Sequence, residues 1–130
     1  MLVFFVFFGC KINKTKNKMR VGLWIEKYDI DNVAYKSKGK YKRDEEVKTW
    51  KFFKNKKIYK IEKYKNDVCF VTYFYPNGKI ESQGQSRTTL SATGRHWFYF
   101  GDWCYYSENG TINLIRTYEN GVQICEIDKF

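Results

Sequence analysis

The chain has little of what helical proteins and most enzymes are built from. Alanine and leucine are scarce, and there is one proline and one histidine. A helical bundle would need many Leu, Ala and Glu residues, so the composition argues against one. The single histidine, His96, lacks the usual partners for general-base or nucleophilic chemistry. The sequence also has no Gly-rich phosphate loop and no Gly-x-Ser-x-Gly motif, so we predict that the protein is not an enzyme.

Cysteine occurs four times, but not at the spacing of a metal site. We therefore expect no bound metal and no cofactor. In an exported protein one pair of cysteines can form a disulfide. Cys104 and Cys125 are the candidate pair, because they flank the last hairpin-like segment of the chain. Three reduced thiols, with Cys69 as the third, are the alternative.

Aromatic side chains are abundant and make up 20% of the residues. Together with Ile, Val and Thr they suit a pleated, half-exposed surface, so we predict an all-β protein. Alternate residues of the segment 68–75 would fall on opposite faces of a strand, and both faces are apolar. This pattern favours a central strand covered on both sides, or a sheet that offers one aromatic face to a partner.

Asn-Gly pairs after aromatic runs predict tight hairpins at Asn77-Gly78 and Asn109-Gly110, and a similar pair follows at Asn120-Gly121. Asn-Gly is typical of a type I′ turn, because both central residues of that turn need positive φ. Asn55-Lys56 holds the equivalent place in an earlier segment. Lysine is disfavoured at positive φ, so we expect a looser turn there or a turn of another type.

The segments around these turns repeat along the chain. Residues 55–68 match residues 109–122 in their Asn, Ile and Tyr positions, and each segment follows an aromatic stretch that begins with Trp. A third unit covers residues 74–85, and a weaker first unit covers residues 24–41. About one strand's worth of sequence is inserted near residues 86–100. The repeat-defining aromatic residues are Trp50, Tyr64, Trp103, Tyr106 and Tyr118.

This unit resembles the MORN-type variant repeat of bacterial antitoxin-repeat proteins, roughly Gly-x-Trp-x-x-Tyr-x-x-Asn-Gly-x-Ile followed by Tyr-x-Asn-Gly. Residues 101–121 fit it nearly completely, and the resemblance covers about residues 22–125, although Lys56 and Asp67 replace turn glycines. It implies an antiparallel β-hairpin repeat array that forms a single-layer or gently rolled meander sheet. The repeat aromatics would either stack from unit to unit or form a face that binds protein, peptide or sugar.

Residues 2–8 are a short apolar run, closed by Gly9 and Cys10. The run is shorter than the roughly 20 residues of a membrane-spanning helix and agrees with the core of a signal peptide, about 7–15 residues. A small residue before Cys resembles the lipobox of bacterial lipoproteins, in which the Cys is acylated after the preceding segment is removed. The run lacks a preceding basic residue, and Phe7-Phe8 stand where Leu and a small residue are usual.

The resulting organisation has three parts. Residues 1–9 are a signal-peptide-like segment, residues 10–20 are the lipidation Cys10 with a flexible basic tether, and residues 21–130 are a MORN-like β-repeat domain. The alternative is that the apolar start is a buried first strand of the fold.

Positive charge is concentrated in the first half of the chain. Residues 1–65 carry 19 Lys and Arg against 7 Asp and Glu, a net charge of +12, whereas residues 66–130 carry 5 against 7, a net charge of −2. A basic half suits an anionic surface such as phosphate or lipid headgroups, and a solvated lysine surface is the alternative. Lysine far outnumbers arginine, the residue of bidentate phosphate and base contacts, so nucleic acid is the less favoured partner.

These patterns predict a non-catalytic interaction module that is anchored to the bacterial cell envelope through lipid and binds a protein or an envelope component. A cytoplasmic antitoxin-like protein that neutralises a partner toxin is the alternative, with the apolar start inside the fold. Nucleic-acid binding through the basic half is the third interpretation.

Overall fold

The computed structural model describes residues 11–129. The predictions on residues 1–10, the signal-peptide-like segment and the lipidation at Cys10, lie outside the described residues. The described part of the chain consists of strands and turns, with no helix that is long and apolar enough to cross a membrane. The strands are β1 (Lys14–Lys16), β2 (Met19–Ile30), β3 (Val33–Lys42), β4 (Glu45–Lys54), β5 (Lys57–Lys65), β6 (Val68–Phe74), β7 (Ile80–Ser91), β8 (Gly94–Tyr106), β9 (Ile112–Glu119) and β10 (Val122–Asp128).

Each strand pairs antiparallel with its neighbours in sequence, so the ten strands of the described residues form one sheet in the order β1 to β10. The sheet is open and does not close into a barrel. Short turns explain this order, because two antiparallel strands joined by a few residues have no freedom to pair elsewhere. The predicted all-β fold, a meander of antiparallel hairpins, is confirmed.

The two predicted Asn-Gly turns join strands at the expected places but have a different geometry. At Asn77-Gly78 only the glycine has positive φ, 85°. The Gly78 amide donates to the Tyr75 carbonyl at 2.9 Å, and the Tyr75 amide donates to the Lys79 carbonyl at 2.8 Å. This is a three-residue loop, a type I turn followed by a glycine bulge, and Pro76 suits its second position. The loop with Asn109-Gly110 has the same two backbone bonds, and Gly110 has a φ of 92°.

The two-residue turns with positive φ at both positions lie elsewhere. Asn120-Gly121 is one of them, with φ of 49° and 80°. Asn55-Lys56 is another, with φ of 47° and 68°, although it has no glycine. The expectation of a looser turn there was wrong. The register decides the geometry, because Lys54 and Lys57 pair directly and leave two residues to reverse the chain.

The first hairpin begins earlier than the sequence suggests. Residues 11–20, expected as a flexible tether, contain β1 and the start of β2, joined by a two-residue turn at Asn17-Lys18. The Asn13 side chain extends this pairing, because its amide donates to the Ile25 carbonyl at 2.9 Å and its oxygen accepts the Ile25 N–H at 2.7 Å. The indole of Trp24 also donates to the Lys14 carbonyl at 3.2 Å. The ordered sheet therefore starts within four residues of Cys10.

The insertion near residues 86–100 does not add a strand. It lengthens β7 and β8 to 12 and 13 residues. Pairing between β6 and β7 ends at Arg87, which lies opposite Val68, the first residue of β6. The pairing of β8 with β9 begins at Gly101. The end of the β7–β8 hairpin, residues 88–97, therefore projects beyond both neighbouring strands. We call this projection the arm.

The sheet is strongly curved. β4 and β8 are separated by three strands, so in a flat sheet they would be about 19 Å apart. Nevertheless, Glu46 on β4 and Arg95 on the arm form an ion pair of 3.8 Å. Their side chains can meet only if the sheet bends toward the face that carries them. We call this the concave face and the opposite one the convex face.

The core lies on the concave face, where two tryptophans pack flat on glycines. Trp103 is 1% exposed and Trp50 is 3% exposed. A Cβ on Gly84 would lie 2.2 Å from the Trp103 ring, and one on Gly39 would lie 2.0 Å from the Trp50 ring. Each indole N–H donates to the carbonyl of the residue after its glycine, at 3.1 Å in both cases. The same glycine–indole unit therefore occurs in both halves of the sheet.

Candidate functional site

A groove of about 690 Å³ lies on the concave face between β4 and the arm. Its floor is formed by β5 and β6, because Trp50, Glu62 and Val71 are paired across neighbouring strands and share this face. The residues that determine its chemistry are Glu46, Glu62, Tyr64, Tyr73, Arg95 and Trp97. Acidic, basic and aromatic groups thus border one cleft.

An ion pair and a tyrosine hydroxyl occupy the floor. Alternation along β5 places Lys60, Glu62 and Tyr64 on the same face. The Lys60 ammonium lies 2.8 Å from one Glu62 oxygen, and the Tyr64 hydroxyl donates to the other at 2.7 Å. The Lys60 and Glu62 side chains are 18% and 16% exposed, so each is held by its partner and retains some contact with solvent. The floor therefore presents one positive and one negative charge that are held in place and largely cancel each other.

The thiol and tyrosine hydroxyl groups of Cys69, Tyr64, Tyr73 and Tyr99 keep their protons at neutral pH. Burial, together with the nearby Glu62 carboxylate, raises the pKa of the Cys69 thiol to about 11. Burial likewise raises the pKa of Tyr99 to about 12 and raises the pKa of Tyr73. For Tyr64, burial and the Glu62 charge raise the pKa strongly. These groups offer neutral hydroxyl and thiol groups and no nucleophilic thiolate.

The arm forms the rim of the groove and exposes apolar side chains. Leu90 is 82% exposed and Trp97 is 69% exposed. Trp97 contacts Tyr99, with 5.7 Å between ring centroids, and Tyr99 lies 4.1 Å from Trp103. An aromatic path thus runs from the solvent-exposed rim to the buried core. His96 is satisfied within the arm, where its ring nitrogen lies 2.9 Å from the Thr93 hydroxyl.

The repeat aromatics divide between two clusters. Tyr64 and Tyr118 pack against the core that contains Trp103. Trp50 packs instead with Tyr41, at 4.8 Å between centroids, and with Phe52. Tyr64 and Tyr118 therefore share a cluster with Trp103, whereas Trp50 lies in a separate one, so the repeat aromatics do not stack along the whole array. Tyr106 accepts a hydrogen bond of 2.7 Å from the Gln83 side chain and belongs to neither cluster.

The predicted turn residues lie outside the groove and connect neighbouring hairpins. The Asn77 side chain donates to the Glu108 carbonyl at 3.3 Å, next to Asn109-Gly110. The Tyr75 hydroxyl donates to the Tyr106 carbonyl at 2.6 Å. At Asn120-Gly121, the Gly121 amide donates to the Tyr99 carbonyl at 2.9 Å. These residues hold the hairpins in place, and they do not border the cleft.

The structure corrects the disulfide prediction. Cys104 is on β8 and Cys125 is on β10, with β9 between them. Two strand spacings separate them by at least about 9.5 Å, which exceeds the roughly 7 Å between Cα atoms that a disulfide tolerates. Cys69, Cys104 and Cys125 are all free thiols. Within residues 11–129, no three His, Cys, Asp or Glu side chains gather as a metal ion would require.

Sequence reasoning missed three parts of this site. Two of them are Gly39 and Gly84, on which the indole rings pack. A glycine inside a strand pattern was the available signal that another group packs closely against the backbone there. The third part is Glu46. The structure puts Asp44 in the turn and Glu46 in β4, facing the groove. Its contact with Arg95 depends on the curvature of the sheet, and no sequence signal indicates it.

Comparisons with known proteins leave the family open. No family of proteins matches the sequence, and neither a curated protein nor a solved structure is significantly similar to it. The MORN-like resemblance therefore rests on the repeated residues themselves.

Proposed function

We propose that this chain is a non-catalytic interaction module, tethered to a bacterial envelope membrane through Cys10, whose groove binds an extended segment of a protein partner. The MORN-like repeats supply a rigid sheet, and the arm supplies the contact residues. Leu90 and Trp97 carry the proposal, because large apolar side chains so exposed at the rim of a cleft are typical of binding surfaces.

The chemistry of the groove supports a peptide as the ligand. Tyrosines and a tryptophan combine apolar area with a polar tip, which suits contact with main chain and side chains alike. Glu46 and Arg95 lie on opposite sides of the cleft, and their side chains are 30% and 48% exposed. A charged group of a ligand can therefore replace one of them in the ion pair. An exposed ion pair of this kind contributes at most about 1 kcal/mol, so opening it costs little.

The non-catalytic part of the proposal is supported by the state of the reactive groups. The Cys69 thiol stays protonated because it is buried, and His96 is bonded to the Thr93 hydroxyl on the arm. A Cys nucleophile needs a lowered pKa and an adjacent base, and the environment of Cys69 acts in the opposite direction.

The groove can be tested by site-specific photocrosslinking in the native host. A photoreactive residue at position 97 should give one discrete adduct, and the same residue at Thr49, an exposed residue outside the groove, is the matched control. An additional Arg95→Glu substitution should weaken the position-97 adduct, because it places a like charge opposite Glu46. The groove hypothesis fails if positions 97 and 49 give the same adducts, or if position 97 gives none.

The tether is tested separately by the intact mass of the protein from its host. A mature chain that starts at Cys10 and carries diacylglycerol on its thiol is the expected result. A chain with residues 1–9 still attached and an unmodified Cys10 would contradict the anchor and favour the cytoplasmic, antitoxin-like alternative.

A further inference from the structure

The convex face of β2–β5 carries a dense group of lysines. Their positions alternate with concave residues, as in β3, where Ser37 and Tyr41 are buried while Lys38 and Lys40 are exposed. The register places Lys27 directly opposite Lys36 and Lys38 directly opposite Lys51. We define the lysine face as Lys27, Lys36, Lys38, Lys40, Lys51 and Lys63.

This arrangement opposes the stability of the sheet. Side chains directly opposite on antiparallel strands have Cβ atoms about 5 Å apart, and like charges in such pairs are destabilising. Five ion pairs join side chains within residues 11–129, and none of them includes a residue of the lysine face. The carboxylates on this side of β2–β5 are Asp29 and Glu45, which lie near the strand ends opposite Ala34 and Lys42. Among residues 11–129, no carboxylate therefore forms an ion pair with the lysines at the centre of the face.

Apolar residues lie between the lysines. Ile25 pairs with Lys38, Ile61 pairs with Lys51, and Phe70 pairs with Lys63. Phe70 is 45% exposed. A surface that mixes lysines with partly exposed apolar side chains matches a lipid interface, where ammonium groups meet headgroups and apolar groups enter the acyl boundary. Nucleic acid fits less well, because the face contains no arginine and its lysines cover a broad convex surface without a groove to follow a strand.

We infer that the lysine face lies against the anionic lipid headgroups of the membrane to which the chain is tethered. This inference rests on the proposed function. Cys10 precedes the first residue of β1, Lys14, by four residues, which span at most about 14 Å. An acyl anchor at Cys10 would therefore keep β1–β5 close to the bilayer surface. The lysine face would add electrostatic attraction to the hydrophobic attachment through the anchor. The groove and its arm lie on the opposite, concave side and remain open to a partner.

The test uses the full chain with Cys10→Ser, so that acylation cannot contribute. Flotation with phosphatidylcholine vesicles, with and without phosphatidylglycerol, measures binding at low and high salt. We compare a triple variant of the face, Lys38→Gln, Lys40→Gln and Lys51→Gln, with a control triple variant, Lys48→Gln, Lys79→Gln and Lys129→Gln. All six lysines are exposed, so both variants lose the same charge with little effect on packing. Far-UV circular dichroism checks that each variant keeps its sheet.

The parent protein and the control should bind the anionic vesicles more strongly than the neutral ones, and salt should weaken that binding. The face variant should lose about a hundredfold in partitioning to anionic vesicles, because each surface lysine contributes about fivefold. Equal losses in the two triple variants, or equal binding to both kinds of vesicle, would overturn the inference. So would a face variant that keeps its vesicle binding but loses affinity for a single-stranded oligonucleotide, since nucleic acid would then be the partner. Because the tested chain lacks Cys10, these results do not depend on acylation. The anchor is tested separately, by the intact mass of the protein from its host.

Discussion

Replacing Gly84 with alanine tests the glycine–indole unit most directly. The added Cβ would lie 2.2 Å from Cδ2 of Trp103 and 2.4 Å from two other ring atoms. Carbon atoms in contact prefer about 3.5–4.0 Å, so the indole must move by more than about 1 Å. Trp103 is 1% exposed, and its N–H donates to the Gln85 carbonyl, so the ring has little room to shift without losing that bond.

The expected destabilisation is about 1.5–3.5 kcal/mol. Overpacking of a rigid core costs about 1–3 kcal/mol, and loss of the indole hydrogen bond adds about 1 kcal/mol. The lower entropy of the unfolded alanine chain offsets roughly 0.5 kcal/mol of this loss. The control is Gly78→Ala, where the Cβ meets no atom within 4 Å and the only cost is a φ of 85°, about 1 kcal/mol.

Urea unfolding followed by circular dichroism and by tryptophan fluorescence measures both variants. The double variant Gly84→Ala with Trp103→Leu gives the decisive comparison. If the ring is the obstacle, Gly84→Ala should cost less than about 1 kcal/mol in the Trp103→Leu background. An unfolding midpoint for Gly84→Ala no lower than that of Gly78→Ala would refute the reasoning, as would an equal cost in both backgrounds.

Three further predictions concern a turn, a thiol and the arm. Lys56→Gly should raise the free energy of unfolding by about 0.5–1 kcal/mol in urea titrations, because Lys56 has a φ of 68°, and an unchanged midpoint would contradict this. The pKa of Cys69 is raised from 9.0 to about 11, so the folded state keeps a proton that the unfolded state loses above pH 9. Stability should therefore be intact below about pH 9 and fall toward pH 11, with a shallower fall in Cys69→Ala; identical pH profiles would exclude this thiol as a cause. Glu46→Gln should leave the urea midpoint within about 1 kcal/mol of the parent but speed limited proteolysis in the arm at Arg95, because it removes an ion pair 3.8 Å long; unchanged cleavage would show that the pair does not hold the arm.

The sequence was sufficient for the order of the elements and insufficient for the shape of the sheet. The hairpin positions at residues 77–78, 109–110 and 120–121 followed from local turn chemistry, which acts over a few residues. The turn types did not follow, because Asn55-Lys56 adopts positive φ at both positions where the register of β4 and β5 leaves no other choice. Residues 11–20, predicted to be a flexible basic tether, instead form part of a hairpin. The Trp24 and Asn13 side chains stabilise it by hydrogen bonds to main-chain carbonyls about ten residues away.

Composition and period-2 patterning alone thus determined that this protein is an antiparallel meander of aromatic strands, because each hairpin is encoded by contiguous residues. Tertiary structure alone decided what those strands enclose. The pairing of Glu46 with Arg95, the seating of two indoles on Gly39 and Gly84, and the separation of Cys104 from Cys125 by β9 depend on curvature and register summed over several strands. Curvature and register accumulated over several strands bring together residues that are far apart in the chain. No local sequence pattern indicates these contacts.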